Sequence, residues 1–309
     1  MTTLYFSDPV ALEHRTPEGH PERPARIRAI EAALEEERFA ALIRMHAPLG
    51  SLEQAQLCHS SRLCETIRQA APESGLIALD ADTVMSPATF DAALHAVGAA
   101  TAAVDEVMAG RAANAFCAMR PPGHHAERER AMGFCFFNNA AIAARHAQKA
   151  YGAGRVAIVD WDVHHGNGTQ DIFWDDDTVL YASTHQMPLF PGTGAPSERG
   201  SHGTIVNAAL AAGDGFEIFR AAFENAILPR LDGFAPDLVI ISAGFDAHHR
   251  DPLGSLKLTE EDFAWATRKL MDVADRHGGG RIVSVLEGGY DLEGLALSTA
   301  AHVNALMRG

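Results

Sequence analysis

Short runs of β-branched and aromatic residues alternate with longer helical segments along this chain, and no other feature constrains its fold as strongly. The predicted strands are TLYFSD, IRMHAP, AFCAM, RVAIVDW, TVLYAS, GTIVNAAL, DLVIISAG and RIVSVLEG. The predicted helices cover residues 23–37, 61–70, 88–109, 138–150, 214–232, 259–277 and 292–307, with Asp214 and Thr259 as capping residues. This order predicts an α/β fold with a mostly parallel sheet of eight strands and helices on both faces.

The length of the chain, 309 residues, suffices for one large core. Neither an internal repeat nor a Ser/Gly-rich linker interrupts the alternation, so we expect a single domain over residues 1–309. Lys and Arg number 25 and Asp and Glu number 40, which gives a net charge of −15 with histidine neutral. Such a surface disfavours nucleic acid and anionic membranes as partners, and it favours cationic ligands and basic peptides.

The cysteines and the amino-terminal residues indicate in which cellular compartment the protein is expected. The four cysteines, Cys58, Cys64, Cys117 and Cys135, lack CxxC spacing, so buried free thiols are expected rather than disulfides or a thiolate metal site. No apolar run is long enough to span a bilayer, and MTTLYFSDPV lacks the blocks of a secretory signal. We therefore expect a cytoplasmic protein, and the sequence does not indicate its oligomeric state.

Four of the predicted strands are followed directly by clusters rich in His, Asp, Gly and Tyr. The clusters read RPPGHHAERERAMGF, DWDVHHGN, GFDAHHRDP and EGGYDLEG. Ligands bind beyond the carboxyl ends of the strands in open parallel sheets. The four clusters are therefore predicted to form one composite site.

The cluster DWDVHHGN carries donors for a metal ion. If the strand stays extended to residue 164, the side chains of Asp160, Asp162 and His164 share one face. Carboxylate and imidazole two residues apart can bind one divalent ion, and Asp246 is the best third donor. Three protein ligands leave one position open for water and substrate, as in catalytic sites. Zinc, ferrous iron and manganese all fit this donor set.

A second histidine pair strengthens the functional interpretation. Acids at strand ends often cap helices and paired histidines are often solvated, so DWDVHHGN alone is ambiguous. His124 and His125, however, follow a Pro-Pro-Gly turn that restrains their backbone. If they do not bind the metal, proton transfer near neutral pH is their natural use.

Together these motifs resemble the histone deacetylase family, in particular its class II members and the bacterial histone deacetylase-like amidohydrolases. The resemblance runs along the whole chain in family order through HPERPARI, LDADTVMSP, RPPGHHA, GFCFFNNAAIAA, VDWDVHHGNGTQ, FPGTG, SAGFDAHHRDP and EGGY. It implies a single-domain arginase/deacetylase-like fold. It also implies hydrolysis of acetyl or short acyl groups from the ε-amine of lysine in proteins or peptides.

The resemblance implies a set of site residues. The implied ligands of one zinc ion per chain are Asp162, His164 and Asp246, in agreement with the spacing argument. The implied catalytic residues are His124 and His125, beside the attacking water, and Tyr290, whose hydroxyl polarises the substrate carbonyl.

Further positions are implied around these residues. Asp160 would be the partner of His124 and Asn167 the partner of His125, where class I members carry an acid instead of Asn167. The implied substrate tunnel consists of Gly133, Phe134, Phe190 and Leu253, although phenylalanine is commonly a core residue. Asp82 would be a rim acid that accepts backbone N–H groups of a bound peptide. A structural potassium ion is implied at Asp160, Ser183 and the turn from Phe173 to Val179.

Three alternatives stay open. An acetylpolyamine amidohydrolase would share every catalytic residue, and the net charge suits it, but polyamine-selective relatives place an acid where this chain has Leu253. An arginase-like dinuclear hydrolase would need a further acid at the position of Gly166. A non-catalytic acetyl-lysine-binding module would be favoured by loss of His125 or Tyr290, and both are present.

Overall fold

The computed structural model describes residues 2–308, and their regular structure follows the predicted alternation. All eight predicted strands are confirmed, and every pairing between them is parallel. The strands of this sheet are β1 (Thr3–Ser7), β2 (Ile43–His46), β5 (Asn114–Cys117), β6 (Val156–Asp160), β7 (Val179–Gln186), β8 (Ile205–Leu210), β9 (Leu238–Ala243) and β10 (Ile282–Leu286). A separate antiparallel hairpin, β3 (Ile77–Ala78) and β4 (Val84–Met85), was not predicted because its strands have only two residues each.

The helices also fall close to their predicted positions. They are α1 (Val10–Glu13), α2 (Ala25–Ala33), α3 (Leu52–Ala55), α4 (Ser61–Ala70), α5 (Thr89–Met108), α6 (Asn139–Tyr151), α7 (Asn167–Ile172), α8 (Phe216–Ala222), α9 (Leu228–Phe234), α10 (Glu260–His277) and α11 (Leu292–Arg308). A short 3₁₀ helix covers Glu37–Phe39. The helices α1, α3 and α7 have four to six residues and were not predicted, because so few residues show no periodicity.

Two details of the helix prediction were wrong. The segment 214–232 is not one helix, because a π-helical turn at Phe223–Ile227 separates α8 from α9. Pro229 lies in the first turn of α9 and cannot donate a backbone hydrogen bond, which accounts for the interruption. Asp214 does not cap α8, since Gly215 is the N-cap and the Asp214 carboxylate accepts the Ala211 N–H at 2.7 Å. Thr259 does form a capping box with Asp262.

Helices cover the sheet as two layers. In one layer α5 packs against α6, and these helices contact β5 and β6 respectively. In the other layer α11 packs against α10 and α2, and α10 contacts β9. The central strands are buried throughout, as expected for a parallel sheet covered on both faces. Among residues 2–308, no helix has the length and apolarity needed to cross a membrane.

The order of the strands determines where the polar clusters meet. The sheet runs β2-β1-β5-β10-β9-β6-β7-β8, so β5, β10, β9 and β6 are consecutive neighbours. These are the four strands that the polar clusters follow. All four clusters therefore lie side by side along the carboxyl edge of the sheet.

Candidate metal centre and active site

Asp162, His164 and Asp246 form a buried cluster beyond the ends of β6 and β9. One potential ligand atom from each lies within 4.8 Å of the other two. The Nδ1 atom of His164 is 3.1 Å from a carboxylate oxygen of Asp162 and 3.1 Å from one of Asp246. The imidazole therefore faces both carboxylates with the same nitrogen, an arrangement in which one cation can contact all three side chains.

The loop after β6, rather than an extended strand, directs these side chains. Strand β6 ends at Asp160, so the expectation of an extended backbone to residue 164 was wrong. The carboxylate of Asp160 accepts the N–H of Asp162 at 3.1 Å, and that of Asp162 accepts the N–H of His164 at 2.9 Å. These local hydrogen bonds bend the chain. The carboxylate of Asp160 contacts His124 instead, while Asp162 and His164 join the cluster.

Two glycines allow the carboxylates to approach the backbone. A Cβ atom on Gly244 would lie 2.1 Å from an oxygen of Asp162, and one on Gly288 would lie 2.2 Å from an oxygen of Asp246. Gly288 also donates its N–H to Asp162 at 2.8 Å. The carboxylates are thus held between main-chain segments, and a side chain at either glycine would displace them.

The electrostatics of the cluster fit a divalent cation. Burial, together with the charge of Asp162, raises the pKa of Asp246 to about 8. Burial disfavours protonation of His164, but its hydrogen bonds to Asp162 and Asp246 outweigh this and raise its pKa to about 10. Both shifts arise because two carboxylates are buried close together, and a bound cation would offset their charge. Two carboxylates and one imidazole match the ligands preferred by zinc and by other transition metals.

His124 and Asp160 form a buried ion pair next to the cluster. The Nδ1 atom of His124 is 3.0 Å from a carboxylate oxygen of Asp160, which also accepts the hydroxyl of Tyr181 at 3.0 Å. Burial opposes the charged imidazolium, but the carboxylates of Asp162 and Asp160 outweigh burial and raise the pKa of His124 to about 10. His124 is therefore suited to hold a positive charge.

His125 has a different partner and the opposite shift. Its Nδ1 atom is 2.7 Å from the side-chain oxygen of Asn167, whose nitrogen donates to Glu127 at 2.7 Å. Because Glu127 accepts from the Asn167 amide, the oxygen of Asn167 faces His125 and accepts its Nδ1–H. Burial and the charges of His124 and His164 hold the pKa of His125 well below its usual range. A neutral His125 with a free Nε2 is suited to accept a proton.

Tyr290 follows the two glycines after β10. Its N–H donates to the carboxylate of Asp251 at 2.6 Å, and the guanidinium of Arg26 lies 5.0 Å from the centre of its ring. Gly289 has φ +122°, a conformation that L side chains rarely adopt, so the turn before Tyr290 requires a glycine. The buried tyrosine is thereby held at the base of the adjoining cavity.

A cavity of about 310 Å³ connects this site to the surface. It is lined by Asp82, His125, Gly133, Phe134, His164, Leu189, Phe190, Leu253 and Tyr290. The ring of Phe190 lies 5.1 Å from that of His125, and the ring of Phe134 lies 5.9 Å from that of Tyr290. The walls are apolar and aromatic, whereas the base carries the imidazoles and the phenol. All the residues predicted for the tunnel and rim therefore lie around one cavity.

Close packing shapes the floor of this cavity. A Cβ atom on Gly133, which has φ +58°, would lie 2.6 Å from the ring of His125. At the mouth, partial burial and the nearby charge of Asp80 raise the pKa of Asp82. The lining of the cavity thus includes one acid, Asp82, and its floor has no space for a side chain at Gly133.

The residues suggested for potassium lie outside the cavity. Asp160, the last residue of β6, pairs with Ser183 on β7. Phe173 follows α7, and Val179 begins β7. Asp160 and Ser183 are fully buried, while Phe173 and Val179 belong to the hydrophobic core.

Three residues that hold the site in place were not predicted from the sequence. Arg26 donates to the carbonyl of Gly289 at 2.6 Å and to that of Glu287 at 2.5 Å. Asp251 accepts from Tyr290, and the carboxylate of Glu287 accepts from the backbone of His124 at 3.0 Å. Each lies inside one of the motifs that the sequence contains. A charged residue next to an apolar strand or a glycine turn is the sequence feature that could have identified it.

Comparison with known proteins agrees with the motifs and the geometry. The Histone deacetylase domain matches residues 20–306. A probable deacetylase of Archaeoglobus fulgidus is 40% identical over 304 residues, which cover 96% of this chain and 84% of that protein. A histone deacetylase-like amidohydrolase of Pseudomonas aeruginosa is 39% identical over 277 residues, which cover 88% of this chain and 73% of that protein.

The fold is also similar to that of a solved structure. The crystal structure of the HDA15 HD domain superimposes with a TM-score of 0.94 and 38% sequence identity, covering 99% of this chain and 88% of that one. Sequence, fold and site geometry lead to the same conclusion. The chain belongs to the histone deacetylase family and is a hydrolase of the deacetylase type.

Proposed function

We propose that this chain is a zinc-dependent deacetylase that removes acetyl or short acyl groups from the ε-amine of lysine in proteins or peptides. One observation carries the proposal. The cluster of Asp162, His164 and Asp246 lies beside a cavity whose lining also includes His125 and Tyr290. These are the groups that amide hydrolysis needs: a cation site, a base and a hydrogen-bond donor for the carbonyl oxygen.

Asp162, His164 and Asp246 would hold one zinc ion. When bound, zinc lowers the pKa of a coordinated water and polarises the carbonyl of the substrate. A single ion is favoured because Gly166 leaves no space for the additional acid of a dinuclear site. A Cβ atom there would lie 2.4 Å from Asp160 and 2.5 Å from the hydroxyl of Tyr181.

The histidines and the tyrosine would share the work of proton transfer and charge stabilisation. His125, neutral and held through Nδ1 by Asn167, accepts a proton from the attacking water and later gives a proton to the departing amine. His124, paired with Asp160, keeps a positive charge near the reacting carbonyl. The hydroxyl of Tyr290 donates to the carbonyl oxygen as negative charge develops there.

The cavity suits the side chain of an acylated lysine. Its methylenes would lie between Phe134 and Phe190, where an uncharged apolar stem is stabilised by burial. Removal of the ε-charge by acylation is what allows such burial. Asp82 at the mouth would accept N–H groups of the peptide backbone, and the presence of both His125 and Tyr290 favours a catalyst over a binding module.

We propose one structural potassium ion near Asp160 and Ser183, supported by their pairing on adjacent strands, and by the turn from Phe173 to Val179. We also propose that residues 1–309 act as one catalytic domain in the cytoplasm.

Acetylated polyamines are a second candidate, favoured by the net charge of −15. Leu253 at the cavity favours lysine substrates instead, because it offers no charge to a distal ammonium. The test compares kcat/KM for an acetyl-lysine peptide, acetylputrescine and longer acyl-lysines. We expect the acetyl-lysine peptide to be hydrolysed most efficiently. A higher kcat/KM for acetylputrescine would support the polyamine function, and no hydrolysis of any of them would contradict deacetylation.

A further inference from the structure

Glu287 is a fully buried carboxylate at the centre of the site, with an exposed fraction of 0%. It follows β10 directly, and β10 lies between β5 and β9 in the sheet. One oxygen accepts the backbone N–H groups of Gly123 at 2.7 Å and His124 at 3.0 Å. The other accepts the hydroxyl of Ser242 at 3.0 Å. Glu287, directly after β10, thus links the turn that follows β5 to the last residues of β9.

The charge of His124 favours the ionised form of this carboxylate, but the carboxylate has no strongly basic partner in the part of the chain that the structure describes. No Lys or Arg side chain among residues 2–308 forms an ion pair with it. Burial raises its pKa to about 7. A buried carboxylate costs stability unless its oxygens are hydrogen-bonded, so the contacts with the N–H groups of Gly123 and His124 and with the hydroxyl of Ser242 are needed to keep it in place.

The turn that Glu287 contacts is confined on its other side as well. A Cβ atom on Gly123 would lie 2.6 Å from the backbone nitrogen of Asn139 at the start of α6. The turn is therefore held between Glu287 and the beginning of α6. If Glu287 released the two N–H groups, both would be buried without an acceptor, and the turn would have to shift to satisfy them.

The position of Glu287 is itself fixed by the metal cluster and the tyrosine turn. Its carbonyl accepts from Arg26 at 2.5 Å, and the next residue, Gly288, donates to Asp162 at 2.8 Å. The main chain after β10 therefore carries Tyr290, contacts the metal cluster and presents the Glu287 carboxylate to His124.

We propose that Glu287 is a positioning residue that fixes the backbone of His124, and thereby sets both imidazoles of the histidine pair relative to the metal cluster. What matters in this role is the placement of an acceptor oxygen, not the charge. The inference rests on the proposed function, because it assigns the histidine pair to catalysis.

Two variants separate placement from charge. Glu287→Gln keeps an oxygen at the same reach and removes the charge, while its amide nitrogen can donate to Ser242. Glu287→Asp keeps the charge and withdraws the oxygens by one methylene. The matched control is Asp237→Glu, because Asp237 accepts the N–H groups of Gly154 and Arg155 at 2.8 and 2.9 Å before β9, at the opposite edge of the sheet.

Steady-state kinetics and metal content are measured for all three variants. We expect Glu287→Asp to lower kcat about 10- to 100-fold with KM within about twofold, as for other residues that orient catalytic groups. Glu287→Gln should keep kcat within about fivefold of the unmodified chain, and Asp237→Glu should leave kcat unchanged. All should bind metal to the same extent.

Amide hydrogen exchange over residues 121–125 provides a readout that does not depend on turnover. Exchange should accelerate in Glu287→Asp and stay close to that of the unmodified chain in Glu287→Gln. A Gln variant as slow as the Asp variant, or an Asp variant with unchanged kcat and exchange, would overturn the proposal. If the unmodified chain hydrolyses no acyl-lysine, the proposed function fails, and the exchange data still decide whether Glu287 fixes this turn.

Discussion

The Nδ1 atom of His125 lies 2.7 Å from the side-chain oxygen of Asn167, a neutral acceptor. The adjacent His124 instead contacts the carboxylate of Asp160 at 3.0 Å. Two neighbouring histidines therefore have opposite electrostatic surroundings, one suited to stay neutral and one to carry charge. In the proposed function, this difference separates the proton acceptor, His125, from His124, which stabilises charge.

Replacement of Asn167 by Asp should make His125 more basic. A carboxylate at Nδ1 stabilises the imidazolium, so the pKa of His125 rises from its depressed value. Because the base must be neutral to accept a proton, the acidic limb of the kcat/KM profile should move to higher pH by about one unit or more. The measurement is the pH dependence of kcat/KM between pH 5 and 9 for both proteins. An unchanged limb, or a limb at lower pH, would remove His125 from the role of base.

Replacement of Tyr290 by Phe should lower turnover without loss of metal. Removal of one donor to a developing oxyanion typically costs on the order of 10²–10³ in kcat. The ring, its contact with Phe134 and the backbone hydrogen bond to Asp251 are retained in this variant. Metal content is measured together with kcat. A kcat within threefold of the unmodified chain would show that Tyr290 does not polarise the substrate.

Replacement of Leu253 by Glu should shift the substrate preference toward acetylated polyamines. Leu253 lines the cavity near its apolar wall, and a carboxylate there can pair with a distal ammonium. The neutral variant Leu253→Gln has similar size and is the matched control. We expect the ratio of kcat/KM for acetylputrescine to that for acetyl-lysine peptide to rise about tenfold or more in the Glu variant alone. Equal ratios in both variants would exclude a charge-based selection at this position.

The stability of the fold should fall on acidification because several histidines are buried in their neutral form. Burial lowers the pKa of His302 to about 3. His302 bridges Thr267 and Ser284 at 2.7 and 2.9 Å. Below about pH 6.5 the unfolded chain binds a proton at this residue and the folded chain does not, so its contribution to stability is present above that pH and is lost as pH falls.

Urea denaturation at pH 7 and pH 5 tests this expectation. The decrease in the free energy of unfolding between these values should be smaller by about 2 kcal/mol in His302→Gln, which cannot titrate. His46→Gln is the control, because the side chain of His46 is 89% exposed. The same decrease in His302→Gln and in the unmodified chain would show that His302 is not a buried neutral residue.

The alternation of apolar runs with helical periods was sufficient to predict the sheet. The strands β5, β6, β9 and β10 are buried along their whole length, so their apolar composition reflects burial on both faces of the sheet. The sequence could not predict the order of these strands, which depends on the packing of helices between them. It was the adjacency of β5, β10, β9 and β6 that brought the four polar clusters into one site.

Local spacing was a weaker guide to the direction of individual side chains. Asp160 and Asp162 were expected on one face of an extended strand, but the hydrogen bonds that bend the chain after Asp160 send them to different partners. Arg26 and Glu287 are far apart in the sequence and meet only in three dimensions. No pattern in either segment alone reveals that contact.

The central claim is that Asp162, His164 and Asp246 bind one catalytic divalent ion. The most direct test is to measure metal content and the release of acetate from an acetyl-lysine peptide before chelation, after chelation and after addition of zinc. The account predicts about one ion per chain before chelation, loss of both metal and activity after it, and recovery of both with zinc. Acetate release that continues unchanged in the metal-free protein would contradict it.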